Sequence, residues 1–174
     1  MSSELRVDKI IPVDGVPNNG GGGIVQIAQN VKQNVFTSSV NSTWTDISNM
    51  AISITPKFNT SKILISICMG VSNGSSELHV FRLLRNSTVI GASNYATTNG
   101  FAIVDSESSY SSNARSRYIG HVKAEILDSP ATTSSVAYKV QFWKNGGNNM
   151  HINRRALNTG AGFSSMITAY EVSA

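Results

Sequence analysis

Apolar residues in this chain recur at every second position in short runs, and that period of two narrows what it can fold into. In residues 118–127, Val122, Ala124 and Ile126 stand opposite Lys123 and Glu125. In residues 136–143, Tyr138, Val140 and Phe142 stand opposite Lys139 and Gln141. Successive side chains of a strand point to opposite faces, whereas a helix repeats its apolar face every 3.6 residues. No stripe of the helical kind persists anywhere over the length of a helix, so the pattern predicts an all-β chain.

Further runs separated by Ser, Asn, Gly and Thr clusters fit the same reading. Residues 24–36 form a long polar–apolar stretch, expected as a strand that crosses between sheets. Residues 44–47 and 51–55 follow, the second ending at Pro56. The run 63–69 is nearly continuously apolar, which points to burial on both faces or to a contact between chains. Residues 78–84 and Val89-Ile90 pair across Arg85-Asn86-Ser87 as a hairpin. The middle, 92–117, is irregular. Asn145-Gly146-Gly147-Asn148 turns the chain after residue 143 and 150–153 return, and residues 165–172 close it with Met166, Thr168, Tyr170 and Val172 alternating. So many short strands predict an antiparallel β-sandwich or jelly-roll-like domain over residues 24–174.

The N-terminal segment follows different rules. Residues 5–11 alternate apolar and charged side chains and stop at Pro12; then come Asp14-Gly15, Pro17 and four glycines, Gly20 to Gly23. Consecutive glycines cannot sustain a strand or helix interior. Residues 18–23 therefore read as a hinge, and residues 1–17 as a peptide too short to bury Leu5, Val7, Ile10 and Ile11 by itself. A partner that accepts an added strand would satisfy both its backbone and its side chains. A phosphate-cradling loop does not fit, because no Lys-Ser/Thr follows the glycines and residues 24–27 read as a strand.

Composition excludes several classes. The 14 Lys and Arg against 10 Asp and Glu leave a net charge of +4, without the basic stripe that meets successive phosphates. No nucleic-acid partner is expected. No apolar stretch approaches the length of a membrane span, and residues 1–6 lack a secretory pattern, so no membrane insertion is expected either. The single cysteine, Cys68, rules out an intrachain disulfide and a cysteine zinc cage. It reads as a small buried hydrophobe.

Glu4-Leu5-Arg6-Val7-Asp8-Lys9-Ile10-Ile11-Pro12-Val13-Asp14-Gly15-Val16-Pro17 followed by Gly20 to Gly23 resembles the N-terminal module of tail-fibre-like virion proteins from marine and cyanobacterial tailed bacteriophages. The phrases at 53–64, 83–91 and 127–134, and the segment around Ile152-Asn153-Arg154, match in the same order. The resemblance implies a virion structural protein, assembled in the host cytoplasm and docked on the particle by its N-terminus. It further implies a homotrimer that displays its β-domain outward and has no catalytic activity. The chain is short and lacks a long shaft, so a compact tail fibre, a capsid fibre and a decoration protein all remain open.

Catalysis finds little support in the residues. A polysaccharide-degrading enzyme needs two carboxyls about 5–10 Å apart, and Asp105 with Glu107 is the sole close loop pair, in a segment that reads as solvated. His79, His121 and His151 share no ligand spacing; His151 would be the candidate if a symmetry axis gathered one from each chain. No cofactor and no metal are expected. The better candidates are contacts with a host-surface glycan or protein: Tyr95, Phe101 and Tyr110 in the irregular middle, Trp143 and His151 beside the glycine turn, and Arg115 and Arg154 as hydrogen-bond donors. The same rings would equally plug the ends of the sandwich. Trp44 is expected in the core.

Overall fold

A computed structural model describes residues 23–73, 77–94, 99–105, 117–157 and 162–173. Residues 1–17 with Leu5, Val7, Ile10 and Ile11, the hinge up to Gly22, and Tyr95, Glu107, Tyr110 and Arg115 lie outside them. The described residues form strands β1 (Ile24–Lys32), β2 (Phe36–Ser38), β3 (Thr45–Ile54), β4 (Lys62–Asn73), β5 (Leu78–Arg85), β6 (Thr88–Ile90), β7 (Ala102–Asp105), β8 (Gly120–Asp128), β9 (Val136–Lys144), β10 (Met150–Ile152) and β11 (Ser165–Val172), and no helix.

The strands make two antiparallel sheets. In the first, β4 carries β8 along one edge; β11 and then β10 lie end to end along the other. Outside these run β1, against β11, and β2, against β10. In the second sheet the order is β3-β9-β5, with β6 and β7 sharing the far edge of β5. Between the sheets Ile63, Ile65, Ile67 and Met69 of β4 join one cluster with Phe81 and Leu83 of β5 and Tyr138, Val140 and Phe142 of β9, all without measurable exposure. Each such side chain contributes about 1.5–3 kcal/mol by leaving water. The alternation read in the sequence for residues 122–126 and 138–142 is the alternation observed.

The 24–36 stretch stays in one sheet instead of crossing. It breaks after Lys32, where the buried Asn153 amide donates to the Lys32 carbonyl at 2.7 Å and the Asn34 carbonyl at 3.2 Å. The two runs expected at 44–47 and 51–55 merge into a single strand, β3 (Thr45–Ile54), whose ladder with β9 shifts register between Asp46 and Ala51. Asn49 takes the left-handed conformation there (φ 61°), and the Asn30 amide of β1 satisfies the carbonyls of Asn49 and Ala51 at 3.2 and 3.0 Å. After the turn at 145–148 the chain does not return beside β9; β10 crosses to the first sheet and pairs with β4 and β2. On β11 the face against the second sheet is Ser165, Ile167, Ala169 and Glu171, leaving Met166, Tyr170 and Val172 half-buried on the other.

Candidate functional site

The second sheet turns its outer face towards residues 91–94 and 99–101, the described parts of an excursion of the chain between β6 and β7. The excursion begins at Gly91, which has φ 63° and packs so closely that a Cβ would stand 2.8 Å from the Ile126 side chain. It ends at Gly100, where a Cβ would collide with the Phe81 carbonyl. That close approach lets the Phe101 amide donate to the Phe81 oxygen at 2.8 Å, while Ser93 N donates to Gly100 O at 3.1 Å and closes the neck. Both positions need glycine for steric reasons.

Between residues 91–94 with Asn99 and the sheet lies an open cleft of about 400 Å³, lined on the other side by Trp44, Arg82 and Val89. The register of the sheet assembles its floor. Arg82 stands opposite Gln141, and Gln141 opposite Asp46, on three neighbouring strands. Arg82 donates through Nε and Nη2 to Gln141 Oε1 at 2.8 and 2.7 Å. Gln141 Nε2 donates to Asp46 Oδ1 at 2.5 Å, and Lys139 Nζ to Asp46 Oδ2 at 2.8 Å. The Lys139 hydrogen bond is the main reason the Asp46 carboxyl sits below its usual range; burial works against it, and the Gln141 hydrogen bond and the charges of Lys139 and Arg82 add to the lowering. The Arg82 guanidinium lies 4.0 Å from the centroid of the Trp44 ring, a cation–π contact.

Trp44 is thus half-buried at the cleft and outside the core expected for it. The arrangement offers an aromatic ring, a fixed cation and an amide-bearing rim. Such a set suits the binding of a polar ligand, and the Asp46 carboxylate is already engaged by Lys139 and Gln141.

The other expected contact residues do not gather here. Phe101 packs partly buried against the core. Trp143 is half-buried on the outer face of β9, opposite Val80 of β5. His151 is only 6% exposed; Thr37 Oγ1 lies 2.9 Å from its Nδ1. Burial, followed by the Arg154 charge, pushes its pKa down to about 4. The ring therefore offers no surface to a symmetry-related chain. Arg154 is half-buried and turns its guanidinium back onto the carbonyls of Arg155 and Ala156 at 3.2 and 3.4 Å. His79 is fully buried, and His121 packs edge-on against Phe163 at 5.1 Å, so the three histidines remain apart. Among the described residues no group of three or more His, Cys, Asp or Glu is placed to hold a metal ion.

Charged residues with structural roles escaped the sequence reading. Glu77 accepts from Asn148 N and Nδ2 at 2.7 and 3.0 Å and lies 3.8 Å from the buried Lys144 ammonium, which donates to Gly146 O at 2.8 Å. These contacts fold the 145–148 turn over the end of the second sheet. Glu171, fully buried, binds Gln26 Nε2 at 2.5 Å and the backbone amides of Lys57 and Phe58 at 2.7 and 3.3 Å. Burial raises its carboxyl, but the hydrogen bonds from Ser61, Gln26, Lys57 and Phe58 together bring it below its usual value. No local motif marks either residue, because their partners are far away in sequence.

No family model and no curated protein matches the chain. Among solved structures it is similar to T=1 particles derived from infectious bursal virus, at 10% identity and a TM-score of 0.44, over 86% of this chain and 36% of that one. A mutant VP2 protein of infectious bursal disease virus, also as T=1 particles, matches at 11% identity and a TM-score of 0.43, over 84% and 36%. The VP2 subviral particle of the same virus matches at 12% and 0.38, over 86% and 37%. The chain spans about a third of the length of these proteins.

Proposed function

We propose that this chain is a non-enzymatic virion protein, a short tail fibre or adhesin. It docks to the particle through residues 1–17 and displays its β-sandwich for contact with the host surface. The observation that carries the reading is where the chain enters the fold. Gly23 O accepts from Ser173 N at 3.0 Å, beside the 55–61 loop that Glu171 holds. The β5–β6 turn lies at this same end, where Arg85 meets Asp128. The 145–148 turn lies at the other end of the sandwich, beside the start of β5, where Asn145 Oδ1 accepts from Leu78 N at 2.9 Å. An anchor at one end and the 145–148 turn at the other suit a displayed module. The N-terminal peptide, similar to that of phage tail-fibre-like proteins, supplies the anchor.

The outward contact is assigned to the Trp44–Arg82 cleft, whose ring and guanidinium suit a host-surface glycan. A purely structural reading, a capsid fibre or decoration protein, draws support from one fact: Phe101, Trp143 and His151 are all at least half-buried. Deletion of residues 1–17 tests the anchor. The truncated protein is expected to fold and to be missing from purified particles, and normal incorporation would overturn the docking role. Particle reconstruction separates the two readings: density at the tail supports the adhesin, density on capsomers the structural protein. A sugar product released from host polysaccharide would overturn the non-enzymatic assignment.

A further inference from the structure

The first sheet carries apolar side chains on both of its faces. Its inner face forms the core; its outer face, among the described residues, is covered by no other strand. The ladders align Ile27 of β1, Tyr170 of β11, Leu64 of β4 and Leu127 of β8 in one row across the whole sheet. Ile27 is 60% exposed and Leu127 55% exposed, at the two ends of that row. Two rungs further on, Val31, Met166 and Cys68 form a second row, and the rung between them is Gln29, Thr168, Ser66 and Glu125. The charged groups on these rungs, Lys123 and Glu125, sit on the edge strand β8.

We propose that this face is where copies of this chain pack on one another. Four strands about 4.8 Å apart and nine residues long give roughly 500–600 Å² in plan, and side-chain relief raises the accessible area towards the ~800 Å² per partner of a stable interface. Two apolar rows flank a neutral rung of Gln29, Thr168 and Ser66, and the charges lie at one rim on β8, so the centre of the patch is free of charge as in a subunit contact. Ile27, Val31 and Leu127, large apolar side chains 60%, 43% and 55% exposed on this one face, mark it as an interaction site. A copy brings an identical sheet face to the contact, and two such faces pack in the manner of a sandwich, with side chains interdigitating. The near-continuous apolar run of β4 then has one cause on each face: Ile63, Ile65, Ile67 and Met69 meet the core, and Leu64, Ser66 and Cys68 meet a neighbour.

Cys68, the chain's one thiol, reports on the contact directly. Light scattering of the full chain at micromolar concentration is expected to show an oligomer, with Cys68 slow to react with a thiol reagent. Ile27→Lys and Leu127→Lys change exposed positions on opposite edge strands, so either variant alone serves if the other fails to fold. Each is expected to give a monomer with an unchanged circular dichroism spectrum and Cys68 labelling faster by roughly tenfold or more, as a shifted equilibrium implies. A monomeric wild-type protein with a reactive Cys68 overturns the proposal, as do folded variants that keep the wild-type mass. A monomer whose Cys68 becomes reactive only when residues 1–22 are removed also overturns it, by placing the chain's own N-terminal segment on the face.

Discussion

The Tyr138 hydroxyl donates a 2.7 Å hydrogen bond to Asp128 Oδ2 and so ties the two sheets together through the interior. Tyr138 belongs to the core face of β9; Asp128 ends β8 in the opposite sheet. Arg85 of β5 donates to the same carboxylate at 2.8 and 3.1 Å. Burial first, and then the Asp128 hydrogen bond and charge, push the phenol well above its ordinary pKa.

Because Tyr138 donates to a charged acceptor, Tyr138→Phe is expected to cost about 1.5–3 kcal/mol. Asp128→Ala should cost more, since it strands both the hydroxyl and the half-buried Arg85 guanidinium. Urea denaturation of the two variants checks the order. Equal losses would mean that Arg85 contributes nothing through Asp128.

His151 makes stability depend on pH in a definite direction. Its folded pKa of about 4 lies below the ordinary histidine value of 6.5, so the folded state favours the neutral ring. The resulting stabilisation is complete above pH 6.5 and is lost as pH falls towards 4, where the unfolded chain binds a proton that the folded chain refuses. The full effect is about 3 kcal/mol. Glu171 acts lower down: its depressed carboxyl contributes stability above its unfolded value and loses it under stronger acid. Denaturation at pH 7 and at pH 5 spans the range, and His151→Gln, which leaves His79 and His121 in place, is expected to flatten the slope between them. An unchanged slope would mean that the ring is not desolvated in the folded state.

These two sites also show what could be read from the sequence. Alternation located the strands: the last one was read at 165–172, the bounds of β11. It did not reveal which face is buried, because Met166, Tyr170 and Val172 look as apolar as Ile167 and Ala169. The choice depends on Glu171, which is buried only because Gln26, Lys57, Phe58 and Ser61 reach it from distant strands. Trp44 failed for the same reason. Its outward position follows from the β3–β9–β5 register that brings Arg82 beneath it, and no local period encodes a register. The crossing of β10 to the first sheet was equally hidden, since a short Met-His-Ile run fits either neighbour.

Asn153 is a further site where a single residue holds several segments. It is 1% exposed and left-handed at φ 69°. Its amide donates to the carbonyls of Lys32 and Asn34, its Oδ1 accepts from Ser165 Oγ at 2.6 Å, its N–H donates to Gly70 O at 3.0 Å, and its carbonyl accepts from Phe163 N at 3.0 Å. Asn153→Gly removes the side-chain bonds and keeps the backbone; Asn153→Ala adds the strain of a left-handed alanine, about 1–2 kcal/mol. Both should destabilise the fold, alanine by that additional amount. Thermal melts of the pair check it, and equal melting temperatures would mean that the backbone relaxes out of the left-handed region.

The cleft gives the most direct test of an outward contact. Trp44→Ala removes the ring on which a sugar face would stack, and Arg82→Ala removes both the stacked cation and the group that fixes Gln141 against Asp46. A desolvated cation–π contact contributes roughly 0.5–2 kcal/mol, and truncating a central aromatic or arginine anchor commonly costs 2 kcal/mol or more. Each variant is therefore expected to weaken binding to host cells about tenfold or more while leaving the fold intact. Arg82→Lys should rescue little. An ammonium keeps the charge, but it lacks the planar fork that lies on Trp44 while donating twice to Gln141. The lysine variant thus separates charge from shape: full rescue would make the cleft a site of simple electrostatic attraction. Wild-type binding by the folded Trp44→Ala and Arg82→Ala proteins would remove the cleft from host recognition altogether.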